Sequence, residues 1–254
     1  MANVGFIGTG EIAAAMVCGL TGQGHVISVS ARGAAMAAEL TAFDDVGIAS
    51  NQGVIDVSDI VVLCLLKDVA HAVLPTLKFR ADQRIISVMV DVSLADLNTL
   101  CAPVTDVEIT IPLPFVATGG CPLPVYPKAV TVDTLFGAKN PVFAVKTEVG
   151  LNAHFAATAM ASVTFAQAQH ASEWLGELTD DPHSAEQYVV AMLGGFLQGL
   201  PQDGQGRLAD ALAALNTEGG LNQTLRQHME DRDVLGDLSG GLDGFRGRLG
   251  LPPI

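Results

Sequence analysis

The chain has 254 residues, enough for a sizeable core and for two domains. It is 49% apolar and 16% charged, with a formal net charge of −14. This composition excludes a disordered chain, and the acidic balance argues against a nucleic-acid partner, because neutralising phosphates needs clustered Lys and Arg.

The apolar runs 60–66 and 85–90 are strand-sized, short of the roughly 18 to 20 residues of a membrane span, so no membrane partner is expected. The N-terminus enters a strand at once and does not read as a signal peptide. Cys18, Cys64, Cys101 and Cys121 lack metal-ligand spacing, so no metal site is expected; we expect a cytoplasmic protein without disulfides.

In chain order, residues 3–7 form a strand candidate and 11–21 a small-residue helix. A strand over 25–30 and a helix over 34–43 follow. Residues 60–65 form the continuous apolar run expected of a parallel strand buried on both faces. A helix over 68–77 and a strand over 84–90 come next. Ser93 is placed as N-cap of a short helix ending at Leu100, before a strand over 107–111. This βαβ rhythm predicts an α/β fold with a Rossmann-type parallel sheet. Pro112, Pro114, Gly119, Gly120, Pro122, Pro124 and Pro127 then mark a loop or edge segment. A short helix over 130–136 and a terminal strand over 142–145 complete the first domain, 1–146. From there the pattern is helical: one major helix over 148–178, a second starting at Pro182, and apolar residues at three- and four-residue spacings from Leu208 to Leu249. The second domain, 147–254, is read as all-helical.

The strongest local feature is Gly8-Thr9-Gly10-Glu11-Ile12-Ala13, directly between a strand and a helix. Gly8 permits the tight turn, Gly10 leaves room for a pyrophosphate, and Ala13 lets the helix pack closely. Backbone amides through Glu11 and Ile12 then face the diphosphate at the positive end of the helix dipole. The alternative is a structural Gly-rich turn. The second strand lacks the terminal carboxylate that holds the ribose of NAD. In its place Ser30 can donate to a phosphate oxygen, and Arg32 offers a guanidinium to a 2′-phosphate, which favours NADP over NAD. The alternative for Arg32 is a solvated helix-start residue. Backbone groups of Leu65 and Leu66, at the C-terminal end of their strand, could pass beside the cofactor ribose. Lys67 is either a phosphate contact or a surface lysine, and Asp91 reads as a turn residue before a catalytic acid.

On these residues the sequence resembles the pyrroline-5-carboxylate reductase family across nearly its full length. The opening Val4-Gly5-Phe6-Ile7-Gly8-Thr9-Gly10-Glu11-Ile12-Ala13 is similar to that family's start. Ile111-Pro112-Leu113-Pro114-Phe115 stands where the family has Met-Pro-Asn-Thr-Pro, which the resemblance places, with Pro112, at the nicotinamide side of the cleft. Thr217-Glu218-Gly219-Gly220-Leu221-Asn222 is the counterpart of a Pro-Gly-Gly-Thr-Thr loop, and Ser162-Val163-Thr164-Phe165 stands in for Gly-Ser-Gly-Pro. The resemblance implies a homodimer built through the helical domain and hydride transfer from NADPH to a small cyclic imine. It puts Ser162, Gly219, Gly220, Leu221 and Asn222 at the substrate. From the residues alone, Gly219-Gly220 is either an anion seat at a helix start or a hinge. Leu113, Glu218 and Leu221 depart from the family pattern, so the coenzyme end is better kept than the substrate end. Two other readings stay open: a reductase of a different substrate class, including a deazaflavin-linked NADP oxidoreductase, and a non-catalytic dinucleotide-binding protein. No residue is assigned as catalyst, because reduction of a protonated imine can draw its rate from orientation.

Overall fold

Strand β1 (Asn3–Ile7) lies inside an eight-stranded sheet, third from one edge, in a computed structural model that describes residues 1–253. Its parallel neighbours are β2 (Val26–Ser30) and β4 (Ile60–Leu63), and β3 (Val46–Ala49) pairs beyond β2. On the other side β5 (Arg84–Ser87) and β6 (Asp106–Thr110) continue the parallel run, giving the order β3-β2-β1-β4-β5-β6 with the reversal between β1 and β4. That reversal is the crevice where doubly wound sheets bind ligands at their strands' C-terminal ends.

The crossovers are α1 (Glu11–Leu20), α2 (Ala34–Leu40), α3 (Asn51–Val57), α4 (Lys67–Val73) and α5 (Leu94–Leu100). The central strands are apolar on both faces, as a sheet covered on both sides requires. Phe6, Val62 and Ile86 pack into one core with Met16, Val17 and Leu20 of α1. Ile7, Val61, Leu63 and Ile85 face the other, with Ile55, Leu74 and Leu97.

Residues 112–127 do not remain a loop throughout. Leu123–Tyr126 forms β7, antiparallel to β6, and Val142–Ala144 forms β8 parallel to it. Pro124 therefore lies in an interior strand, without an N–H for the ladder. The Thr110 hydroxyl donates to its carbonyl at 2.9 Å and ties the two strands there. Between β7 and β8, α6 (Val130–Phe136) is anchored by a fully buried carboxylate: Glu108 of β6 accepts from the Thr131 and Val132 amides at 2.8 and 2.9 Å. An anion on the first amides of a helix is the arrangement its dipole favours.

The helical segment begins with α7 (Glu148–Thr158). A turn at Ala159 separates it from α8 (Met160–Thr179), so the single helix expected over 148–178 is two. The remainder comprises α9 (Pro182–Gln198), α10 (Arg207–Ala214), α11 (Leu221–Glu230), α12 (Val234–Asp243) and α13 (Arg246–Leu249). Pro182 takes the first helical position of α9, where its missing N–H costs nothing. Two compact units result. One joins Met1–Phe155 to a returning C-terminal segment, Gly247–Pro252, and the other is Ala156–Arg246. Within the second, α8 and α9 pack together through buried Ser172, Gly176, Ala185 and Val189. No helix among the described residues is long and apolar enough to cross a membrane.

Candidate dinucleotide-binding site

The turn from β1 into α1 is tight and leaves the start of the helix uncapped. Gly8 sits at φ +94°, in the left-handed region, and a Cβ there would come within 2.4 Å of the Cys64 carbonyl oxygen. A β-carbon at Gly10 would meet nothing within 4 Å, so the backbone there opens onto free space. Helix α1 begins at Gly10 without any side-chain cap, leaving its first amides for water or a ligand. This is the arrangement a pyrophosphate needs, so the residues present fit a dinucleotide.

The loop after β2 closes the site from the side. Gly33 has φ +88°, and a Cβ on it would fall 2.3 Å from the Thr9 carbonyl oxygen. That close approach brings Arg32 to a cavity of about 260 Å³ shared with Gly8, Thr9, Gly10, Cys64, Leu65 and Leu66. Arg32 is exposed and forms no hydrogen bond or ion pair among the described residues, so its five donors are available. Cys64 contributes a neutral thiol, since burial pushes its pKa up to about 12.

Two of the residues read from the sequence take different places. Ser30 is fully buried beneath the loop. Its Oγ accepts from the Gly8 amide at 2.9 Å, and the Thr9 hydroxyl donates to its carbonyl at 2.8 Å. It supports the Gly8–Gly10 loop from inside, and its buried side chain is out of a ligand's reach. Lys67, the first residue of α4, lines a second cavity instead of this one. Glu11 is exposed and Ile12 half-buried on the first turn of α1, where their amides are the ones the sequence singled out. Pro112 is buried two residues after the end of β6.

In the second unit Ser162 is exposed on α8, and residues 219–222 open α11. The Gly219 amide donates to Gln223 Oε1 at 2.8 Å, and the Thr224 hydroxyl turns back to the Gly220 carbonyl at 3.0 Å. The Leu221, Asn222 and Gln223 amides are thus the ones left at that helix start. The sequence passed over Gly33, whose signal was a glycine directly after Arg32, and the Arg248–Asp91 ion pair, which nothing local marked.

Residues 3–91 match the family model described as NADP oxidoreductase coenzyme F420-dependent. No curated protein matches the chain in sequence. Among solved structures, pyrroline-5-carboxylate reductase from Streptococcus pyogenes superposes with a TM-score of 0.82 at 19% identity, covering 98% of both chains. It is the pyrroline-5-carboxylate reductase fold. The Plasmodium falciparum enzyme, solved with NADP bound, gives 0.81 at 12% identity, covering 98% of this chain and 97% of its own. The Coxiella burnetii enzyme gives 0.78 at 17%, with the same coverage. The likeness therefore spans both the sheet and the helices, while the sequences have diverged far.

Proposed function

We propose that this protein is an NADPH-dependent reductase of the pyrroline-5-carboxylate reductase type, transferring a hydride to a small cyclic imine. The observation that carries the reading is Arg32, an unpaired guanidinium on the cavity that also exposes the Gly10 backbone and the uncapped start of α1. A dinucleotide with a 2′-phosphate answers both features, and NAD would leave Arg32 without its partner.

In this reading the amides of residues 9–12 hold the diphosphate, Arg32 the 2′-phosphate, and the backbone at Leu65 and Leu66 the adjoining ribose. Pro112 borders the nicotinamide. Bound NADPH supplies the hydride; the chain's own contribution is to fix the approach and exclude water, which can account for much of the rate without a side-chain acid. Ser162, Gly219, Gly220, Leu221 and Asn222 serve the substrate, with the Leu221 and Asn222 amides suited to a carboxylate. The molecule is a homodimer through its second unit, whose apolar side chains are exposed in the single chain: Phe165 at 74%, Trp174 at 65% and Leu197 at 62%. Four free cysteines fit a cytoplasmic setting.

The match of residues 3–91 to a deazaflavin-linked family favours a second reading, because that model describes the same dinucleotide half. Likeness over nearly the whole chain favours the first. Oxidation of NADPH on addition of 1-pyrroline-5-carboxylate, followed by nicotinamide absorbance, tests it. Turnover with that imine is expected. Saturable NADPH binding without turnover on any cyclic imine would leave a dinucleotide-binding protein, and turnover only with a deazaflavin would establish the second reading.

A further inference from the structure

Arg32 makes no side-chain contact that would fix its place, so its position is set by the backbone on either side of it. Before it, the Ala31 amide donates to the Ala49 carbonyl at 3.2 Å and holds the end of β2 to β3. After it, the Gly33 carbonyl accepts from the Ala37 amide at 3.0 Å in the first turn of α2. Gly33 is also where this loop meets the turn between β1 and α1. It holds φ +88° and ψ 45°, the left-handed region, and a Cβ on it would fall well inside contact distance of the Thr9 carbonyl oxygen and 3.2 Å from its carbon. The two loops touch backbone to backbone, which only a residue without a side chain allows.

A side chain at position 33 would force one loop to give way, and the two are not equally held. Thr9 is 6% exposed and its hydroxyl donates to the Ser30 carbonyl, while the Gly8 amide donates to the buried Ser30 Oγ. Residues 31–35 are all exposed. The loop that gives is therefore the one carrying Arg32, and the retreat to ordinary contact is about 1 Å. A guanidinium–phosphate bond is about 2.8 Å long, and a shift of about 1 Å takes it out of hydrogen-bond range. The Gly10 backbone and the uncapped start of α1 stay where they are, because the tied turn holds them.

We propose that Gly33 sets the preference for NADPH over NADH, as a positioning residue that acts through Arg32. Arg32 brings the charge, and the bare backbone at Gly33 lets its loop come close enough for that charge to reach a 2′-phosphate. The inference rests on the reading that this cavity takes NADPH.

The experiment is calorimetric titration of the full chain with NADPH and with NADH, in the wild type, Gly33→Ala, Gly33→Asn, Arg32→Ala and the double variant Arg32→Ala/Gly33→Ala. Gly33→Ala should weaken NADPH about tenfold and leave NADH within a factor of about two. In the Arg32→Ala background the same change should cost NADPH little more, since two changes that remove one contact do not add. Gly33→Asn separates contact from backbone strain. Asn tolerates the left-handed region better than Ala but carries the same Cβ, so it should match Gly33→Ala. Circular dichroism reports whether each variant is folded. Equal losses for both nucleotides, an unchanged preference, a full further loss in the double variant, recovery of NADPH affinity in Gly33→Asn, or failure of both Gly33 variants to fold would overturn the proposal. Arg32→Ala judges the underlying reading separately. If it weakens both nucleotides equally, or if the wild type binds neither, the NADPH reading falls and the proposal with it. If Arg32→Ala abolishes the preference and Gly33→Ala keeps it, only the role of Gly33 is removed.

Discussion

Arg32 and Ser30 adjoin the same loop and do opposite work. Arg32 stands exposed on the cavity with no partner among the described residues, so its removal should cost the fold nothing and the 2′-phosphate one charge-assisted contact. Arg32→Ala is expected to weaken NADPH about tenfold or more while leaving NADH affinity within a factor of about two. Paired titrations of the two nucleotides check this, and an equal loss for both would remove Arg32 from the 2′-phosphate. Ser30 is inaccessible, and its hydroxyl satisfies the Gly8 amide. Ser30→Ala leaves that buried donor unpaired and is expected to destabilise the protein by about 1 to 2 kcal/mol. It should weaken both nucleotides alike, because the loop they share loses its support. Denaturant unfolding measures the first effect and the same titrations the second.

At the scale of the element, α5 shows a cap that the sequence announced and a pH response that follows from it. Ser93 Oγ accepts from the Asp96 amide at 3.1 Å, and Asp96 Oδ2 accepts from the Ser93 amide at 3.2 Å, a reciprocal capping box. Ser93→Ala should cost about 1 kcal/mol. Because the Ser93 hydroxyl lowers the Asp96 pKa, the stabilisation is complete above the ordinary carboxylate range and is lost as pH falls through the lowered folded value. The stability gap between the wild type and Asp96→Asn should therefore narrow towards acid and stay flat from neutrality upward. Thermal unfolding across pH reads it. Elements with strong local signals were legible in this way: the Gly-rich turn, the apolar strands, Ser93, and Pro182 at the head of α9. Others were not. β3 has only four residues, with Gly47 among them, and α3 carries Gly53 inside its roughly two turns, so neither shows a clear period. β7 contains Pro124, which argues against an interior strand until the Thr110 hydroxyl is seen to hold it. In the candidate site, the glycine-rich turn could be read because its residues are contiguous. The burial of Ser30 depends on packing across strands, and Arg248 meets Asp91 across 157 positions of sequence. No local pattern carries that.

At the scale of the whole molecule, the second unit has helices and few residues inside. Buried positions on α8 and α9 are confined to Ser172, Gly176, Ala185 and Val189, and α10, α11 and α12 have none. Meanwhile Phe165, Trp174, Tyr188, Phe196 and Leu221 stand 55 to 90% exposed. Helices with so little buried surface gain little from packing to offset the entropy of ordering them, and in the homodimer we propose a second copy supplies the missing burial. Trp174 is the chain's one tryptophan and therefore reports on this surface directly. In a dimer it is shielded and should emit at short wavelength. Dilution to the monomer should shift the emission to longer wavelength in step with the loss of mass by light scattering. Phe165→Asp, which places a charge on the same apolar helix, should raise the dissociation constant about a hundredfold or more, since a buried unpaired carboxylate costs several kcal/mol. It should also lower the thermal midpoint in a concentration-dependent way. A monomer at micromolar concentration with an unshifted, water-like Trp174 spectrum would show that these helices stand alone.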